Sequence, residues 1–225
     1  LLETTSKEVN LIGHEVASND ESIKNMAQSG QTLSYPLEQF EGAGGCAEYM
    51  KKYGLSDGEL LTIATCMYGV NDLSDWNDNR IDQYSASIKK VPTIIGKLKE
   101  LIDKTIADYP DCKFIIVHET TTCANQDGWG YWAGEQTKRH CMEEMEKAMK
   151  YLRKVIIQEF DNEKYNNNVI LSSAGLWCDR LYGFPYVLQP SSSRVSKKVE
   201  RFVECVHPFD DGYKQVADGI FSTIC

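Results

Sequence analysis

The feature that most constrains this chain is an alternation of two patterns. Short, nearly continuous apolar runs are separated by longer segments whose apolar residues recur every three or four positions. The runs are V-N-L-I-G (9–13), E-L-L-T-I-A-T-C-M (59–67), K-F-I-I-V-H (113–118) and N-V-I-L-S-S (168–173). Continuous rather than alternating apolarity predicts strands buried on both faces. Between them, Ile81, Tyr84, Ile88, Val91, Ile95, Leu98, Ile102 and Ile106 form one helical stripe, with Pro92 expected to kink it. Met142, Met145, Met149, Leu152, Ile156 and Phe160 form a second stripe. Tyr213, Val216, Ala217, Ile220, Phe221 and Ile224 form a third. Strands that alternate with helices pack as a parallel sheet covered on each side, so the expected fold class is α/β, a three-layer α/β/α sandwich.

The remaining segments read less clearly. Glu15 to Phe40 is rich in Ser, Asn and Gln and is expected to be irregular. C-A-E-Y-M-K-K-Y-G (46–54) reads as a short helix closed by Gly54, and P-S-S-S-R (190–194) as a loop. There is no internal repeat or linker, so residues 1–225 are read as a single domain.

Net charge −9 and the lack of a basic cluster argue against nucleic-acid and anionic-membrane partners. No 18-residue apolar run is present. Eight cysteines are scattered singly, with no C-x-x-C, several within apolar runs; they are expected to be reduced, which fits synthesis in a cytoplasm. His118, Glu119 and His140 are too dispersed for a ligand set, so no metal or other cofactor is expected. The chain opens on Leu1 without a signal peptide, and a processed product or a fragment is the expectation.

In an open α/β sheet, ligands bind beyond the carboxyl ends of the strands. Three segments fall there. Gly44-Gly45 precedes a helix, where backbone amides can donate. Y-G-V-N-D (68–72) follows the 59–67 run, and Asn71 offers carboxamide N–H groups toward developing negative charge. V-E-C-V-H-P-F-D-D-G-Y (203–213) precedes the last helix; Pro208 fixes the backbone of His207, and Glu204 lies three residues before that imidazole. Asp210 or Asp211 is placed to cap the helix. Each alone reads more readily as a turn or loop than as a functional group. Their order and spacing give them weight as a set.

That set resembles the SGNH/GDSL hydrolase family. E-G-A-G-G-C is similar to its second block with Gly45 as the oxyanion glycine, G-V-N-D to its third with Asn71, and E-C-V-H-P-F-D-D-G-Y to its fifth with His207 as base. G-F-P-Y (183–186) and Arg194 add to the likeness. Two departures stand out. The acid is Glu204 where the family has Asp, and the first block, G-D-S with the nucleophilic serine, does not occur. Ser29-Gly30 and Ser173 lack the strand-then-turn setting, and Cys46 is poorly placed as a substitute thiol.

The resemblance implies a flavodoxin-like sheet in the order 2-1-3-4-5 with its central first strand missing. It implies a segment upstream of Leu1, or a neighbouring chain, that fills the slot between residues 9–13 and 59–67 and brings the serine. The implied activity is ester hydrolysis, with removal of O-acetyl groups from an acylated carbohydrate as the expected reaction. Trp129, Tyr131 and Trp132 either stack on sugar rings or pack under a loop. The alternative is an inactive glycan-binding or structural module of a larger assembly such as a phage tail, associated with the virion.

Overall fold

The computed structural model of the chain describes residues 15–17, 20–26, 31–73, 83–120, 122–124, 142–203 and 206–224. The 9–13 run, the Trp129, Tyr131 and Trp132 loop and Glu204 lie outside them.

The centre is a three-stranded parallel sheet in the order β3-β4-β5, formed by Ile63–Cys66, Lys113–Val117 and Val169–Ser172. A hairpin of β1 (Glu15–Ala17) and β2 (Asp20–Asn25) precedes it, and a second hairpin of β6 (Tyr186–Ser192) and β7 (Val195–Phe202) follows. The helices are α1 (Ser34–Ala43), α2 (Cys46–Lys52), α3 (Val70–Leu73), α4 (Gln83–Ile88), α5 (Val91–Asp108), α6 (Met142–Phe160) and α7 (Asp210–Ile224).

β4 shows why the layers form. Its side chains alternate across the sheet. Phe114 and Ile116 enter the main core with Ile95, Leu98 and Ile102 of α5 and Met149 and Leu152 of α6. Ile115 and Val117 face the other way, against Ala174 and Ile220 of α7. Helices therefore cover both faces of β4, and the architecture is the α/β/α sandwich expected from the alternation.

β3 differs. It was expected to be buried on both faces and to span 59–67, but only Ile63–Cys66 is strand and Leu60 is two-thirds exposed. Its register sets Thr65 beside Ile115 and Ala64 beside Phe114. Ala64 and Cys66 meet the main core, whereas Ile63 and Thr65, on the α7 side, are exposed. Among the described residues β3 pairs with β4 alone, so its far edge and half of one face are open.

Three other expectations are corrected. The stretch from Glu15 to Phe40 contains a hairpin and α1, because Leu33, Pro36, Leu37 and Phe40 recur at helical spacing beneath a polar composition. Pro92 begins α5 rather than kinking a longer helix, since its missing N–H costs nothing in a first turn. Residues 190–192, expected as a loop, end β6, and only 193–194 turn into β7; the hairpin is unseen in sequence because β6 is exposed along nearly its whole length.

The short 3-10 turn Ala174–Trp177 packs against the carboxyl end of β4. An added Cβ on Gly175 would overlap the His118 carbonyl, whereas one on Gly42 meets nothing. Gly175→Ala is predicted to lower unfolding free energy by about 3 kcal/mol. Gly42→Ala, inside α1, is predicted to raise it by about 0.5–1 kcal/mol. Urea denaturation of both variants checks the pair; equal effects would contradict this packing.

Candidate active-site cleft

The loop after β3 is built by its sequence. Gly69 takes φ +140°, a conformation other residues adopt at a cost, and turns the chain from β3 into α3. The next polar side chains then grip one segment. Asn71 Nδ2 donates to the Gln31 carbonyl at 3.1 Å. Asp72 accepts the Leu33 amide at 3.0 Å and lies 3.9 Å from Lys97 of α5. Burial raises the Asp72 pKa, while the Leu33 amide and Lys97 act in the opposite direction. Asn71 and Asp72 thereby tie residues 31–33, where α1 starts, to the carboxyl end of β3.

His207 is held from the other end of the chain. Pro208 is buried, and the Phe209 amide donates to the Gly183 carbonyl at 2.6 Å. Gly212 packs so closely on Gly183 and Pro208 that a Cβ there would clash. This explains why G-F-P-Y and H-P-F-D-D-G belong together: the first is the seat of the second. Asp210 and Asp211 occupy the first turn of α7, where carboxylates favour the helix dipole.

These two constructions meet. Asn71 and His207 line one cleft of about 300 Å³ at the carboxyl ends of the strands, together with Gln31, Glu119, Thr120 and Tyr213.

Gly45 is not brought to this cleft. Its amide donates to the Phe40 carbonyl at 2.8 Å as part of the turn that ends α1, where Gly44 is left-handed with φ +92°. Gly45 lines a different depression, beside Lys97 and Asp108. The expectation of an oxyanion role for Gly45 is therefore corrected: the glycine pair serves a helix end, and the amide is already engaged. Cys46, next to it, is buried, and its thiol is pushed up to about 12, chiefly by burial. It packs beside the core and has no nucleophilic character.

Sequence reasoning missed Gln31, Thr120 and Glu119. Thr122, also on the rim, donates to Glu146, which pairs with Arg180, and this fixes the strand-to-loop exit of β4. Glu119 stands at that exit and accepts the Val70 amide at 3.4 Å. Burial pushes its carboxyl up to about 7, with the Val70 contact and Arg153 acting against the rise and Asp72 adding to it. The only signal in sequence was a carboxylate two residues after an apolar run, F-I-I-V (114–117).

No family model matches the chain, and no curated protein matches it in sequence. Among solved structures it is similar to phospholipase A1 from Streptomyces albidoflavus NA297, at 14% identity and a TM-score of 0.49, over 90% of this chain and 78% of that one.

Two predictions follow from this chemistry. Cys46, Cys66, Cys112 and Cys178 are buried free thiols pushed up to about 11 or 12. Mass-spectrometric mapping after brief alkylation of the native chain at pH 8 is expected to leave all four unmodified, and unfolding to expose them; prompt native labelling of Cys46 would contradict its burial. For Glu119, a raised folded pKa means a stabilising contribution present below about 4.5 and lost as pH rises through about 7. Glu119→Gln is therefore expected to match the wild type near pH 4 and to melt higher at pH 8. A lower melting temperature at pH 8 would contradict this sign.

Proposed function

We propose that the cleft is the acyl-transfer site of an ester hydrolase. The observation that carries this reading is that Asn71 and His207, drawn from opposite ends of the chain, line the same cleft. An imidazole and a carboxamide donor are the two groups an alcohol nucleophile needs beside it, one to take its proton and one to receive the oxyanion.

In this reading a serine hydroxyl attacks the ester carbonyl while His207 accepts its proton. Asn71 Nδ2 stabilises the oxyanion, the alcohol leaves with the proton from His207, and water then releases the acyl group by the same route. Glu204 orients the imidazole and balances its charge. The serine comes on a strand seated along the open edge of β3, from a segment beyond Leu1 or from a neighbouring chain. Among the described residues β3 pairs with β4 alone, and this, with the exposed Ile63 and Thr65, supports that seat. The substrate class is a short acyl ester on a carbohydrate, with Trp129, Tyr131 and Trp132 stacking on sugar rings.

One observation favours a second reading, an inactive glycan-binding module of a larger assembly: among the described residues no serine lines the cleft. An aryl acetate assay on the native assembly separates the two. Hydrolysis is expected, with His207→Ala lowering kcat by at least about 10³ and Asn71→Ala by about 10²–10³. Turnover unchanged by His207→Ala would overturn the mechanism. Glycan binding without turnover would establish the second reading.

A further inference from the structure

Beneath the cleft lies a buried polar cluster that the proposed mechanism leaves unused. Tyr68, His118, Glu119 and Arg153 line a small cavity between the turn after β3, α3, the end of β4 and α6. Three of their buried polar atoms have no hydrogen-bond partner: the Tyr68 hydroxyl, His118 Nδ1 and Arg153 Nε. Burying polar groups in this way is unfavourable unless something is gained elsewhere. Glu119 is shared by this cavity and by the cleft above. Its Oε1 accepts the Val70 amide, in the residue directly before Asn71.

We propose that Glu119 is a positioning residue whose ionised carboxylate, by accepting the Val70 amide, sets the turn that aims the Asn71 carboxamide into the cleft. This rests on the reading of the cleft as an esterase site for its kinetic consequence, but not for its geometry.

The chain of contacts is short. Arg153 projects from α6 beneath the cleft, and its charge favours the Glu119 anion. That anion makes a charge-assisted acceptor for Val70 N–H, stronger than a neutral carboxyl would be. The 3.4 Å separation is long, so the hold depends on the charge. Gly69, immediately before Val70, gives the turn no rigidity of its own. Asn71 is then fixed between two anchors, Glu119 below and the Gln31 carbonyl in front.

The charged and titratable groups facing Glu119 come from every element packed on it. Asp72 on α3 opposes its ionisation and Arg153 on α6 favours it. Cys66 on β3 and Tyr68 in the following turn are themselves raised in part by Glu119 and stay neutral. His118 on β4 is lowered by burial and by Arg153, and it stays neutral near pH 7. His207 and Tyr213 share the cleft. With its carboxyl pushed up to about 7, Glu119 changes charge near neutral pH. The turn is therefore loosely held below pH 7 and firmly held above it.

The test follows the Asn71 side-chain amide resonances with pH by NMR in the wild-type chain, Glu119→Gln, Arg153→Met and His207→Ala. The wild type is expected to titrate near pH 7, and His207→Ala to keep that titration. Glu119→Gln is expected to abolish it, and Arg153→Met, which removes the favouring charge, to move the midpoint upward. A flat wild-type profile, a titration that survives in Glu119→Gln, or a midpoint unmoved in Arg153→Met would overturn the proposal. On the native assembly, Glu119→Gln is expected to lower kcat about 10-fold to 100-fold with KM unchanged, less than loss of the donor itself. If the wild type hydrolyses no ester, the functional reading fails alone, because the NMR titration still decides the role of Glu119.

Discussion

The structure depends on a clamp at the carboxyl end of β3. Gly69 turns the chain, and Asn71 and Asp72 then reach in the same direction, one donating to the Gln31 carbonyl and the other accepting the Leu33 amide. Without that double grip the start of α1 has no tie to the sheet, and Leu33, itself buried, has no fixed place in the core. The same loop lines the cleft. Its backbone is braced from below by Glu119, and its carboxamide faces the cleft that His207 enters from the opposite terminus. The side chain that clamps residues 31–33 is thus also one that lines the cleft.

The second constraint is the asymmetry of the sheet. β4 is covered on both faces and hydrogen-bonded on both edges, whereas β3 is covered on one face and, among the described residues, bonded on one edge. Parallel sheets are ordinarily buried, because their crossover helices lie on both faces. Ile63 and Thr65 break that rule on the side where α7 does not reach. An additional strand along β3 with a helix over that face would restore it. That is the physical basis for placing the nucleophile there, next to the cleft to which β3 leads.

The core elements were legible in the sequence where burial imposes a period. α5 and α6 each bury one stripe, and β4 buries both faces, so their apolar residues recur at the spacing geometry demands. α7 forms where expected but buries Gly212, Val216 and Gly219, while Tyr213, Ala217, Phe221 and Ile224 of the expected stripe are exposed. α1 was hidden because its four core contacts are diluted by polar neighbours, and the β6–β7 hairpin because exposed strands need no apolar pattern. Pro92 showed that a break occurs but not that it is a helix start. At the site, Asn71 and His207 were legible because their flanking Gly69 and Pro208 reveal the backbone each requires. Gly45 misled for a related reason: a glycine pair announces unusual φ angles, and ending a helix demands them as much as binding a ligand does. Glu119 carries no such flanking mark, since its role comes from Val70 and Arg153, residues far from it in the chain.

The most direct measurement is a crystal structure of the native assembly treated with an organophosphonate that mimics the tetrahedral intermediate. The account predicts a covalent adduct on a serine oxygen carried by a strand alongside β3, within hydrogen-bond reach of the His207 imidazole, with the phosphoryl oxygen turned to Asn71 Nδ2. An adduct elsewhere, or an empty cleft with the edge of β3 closed by a strand that bears no serine, would contradict it.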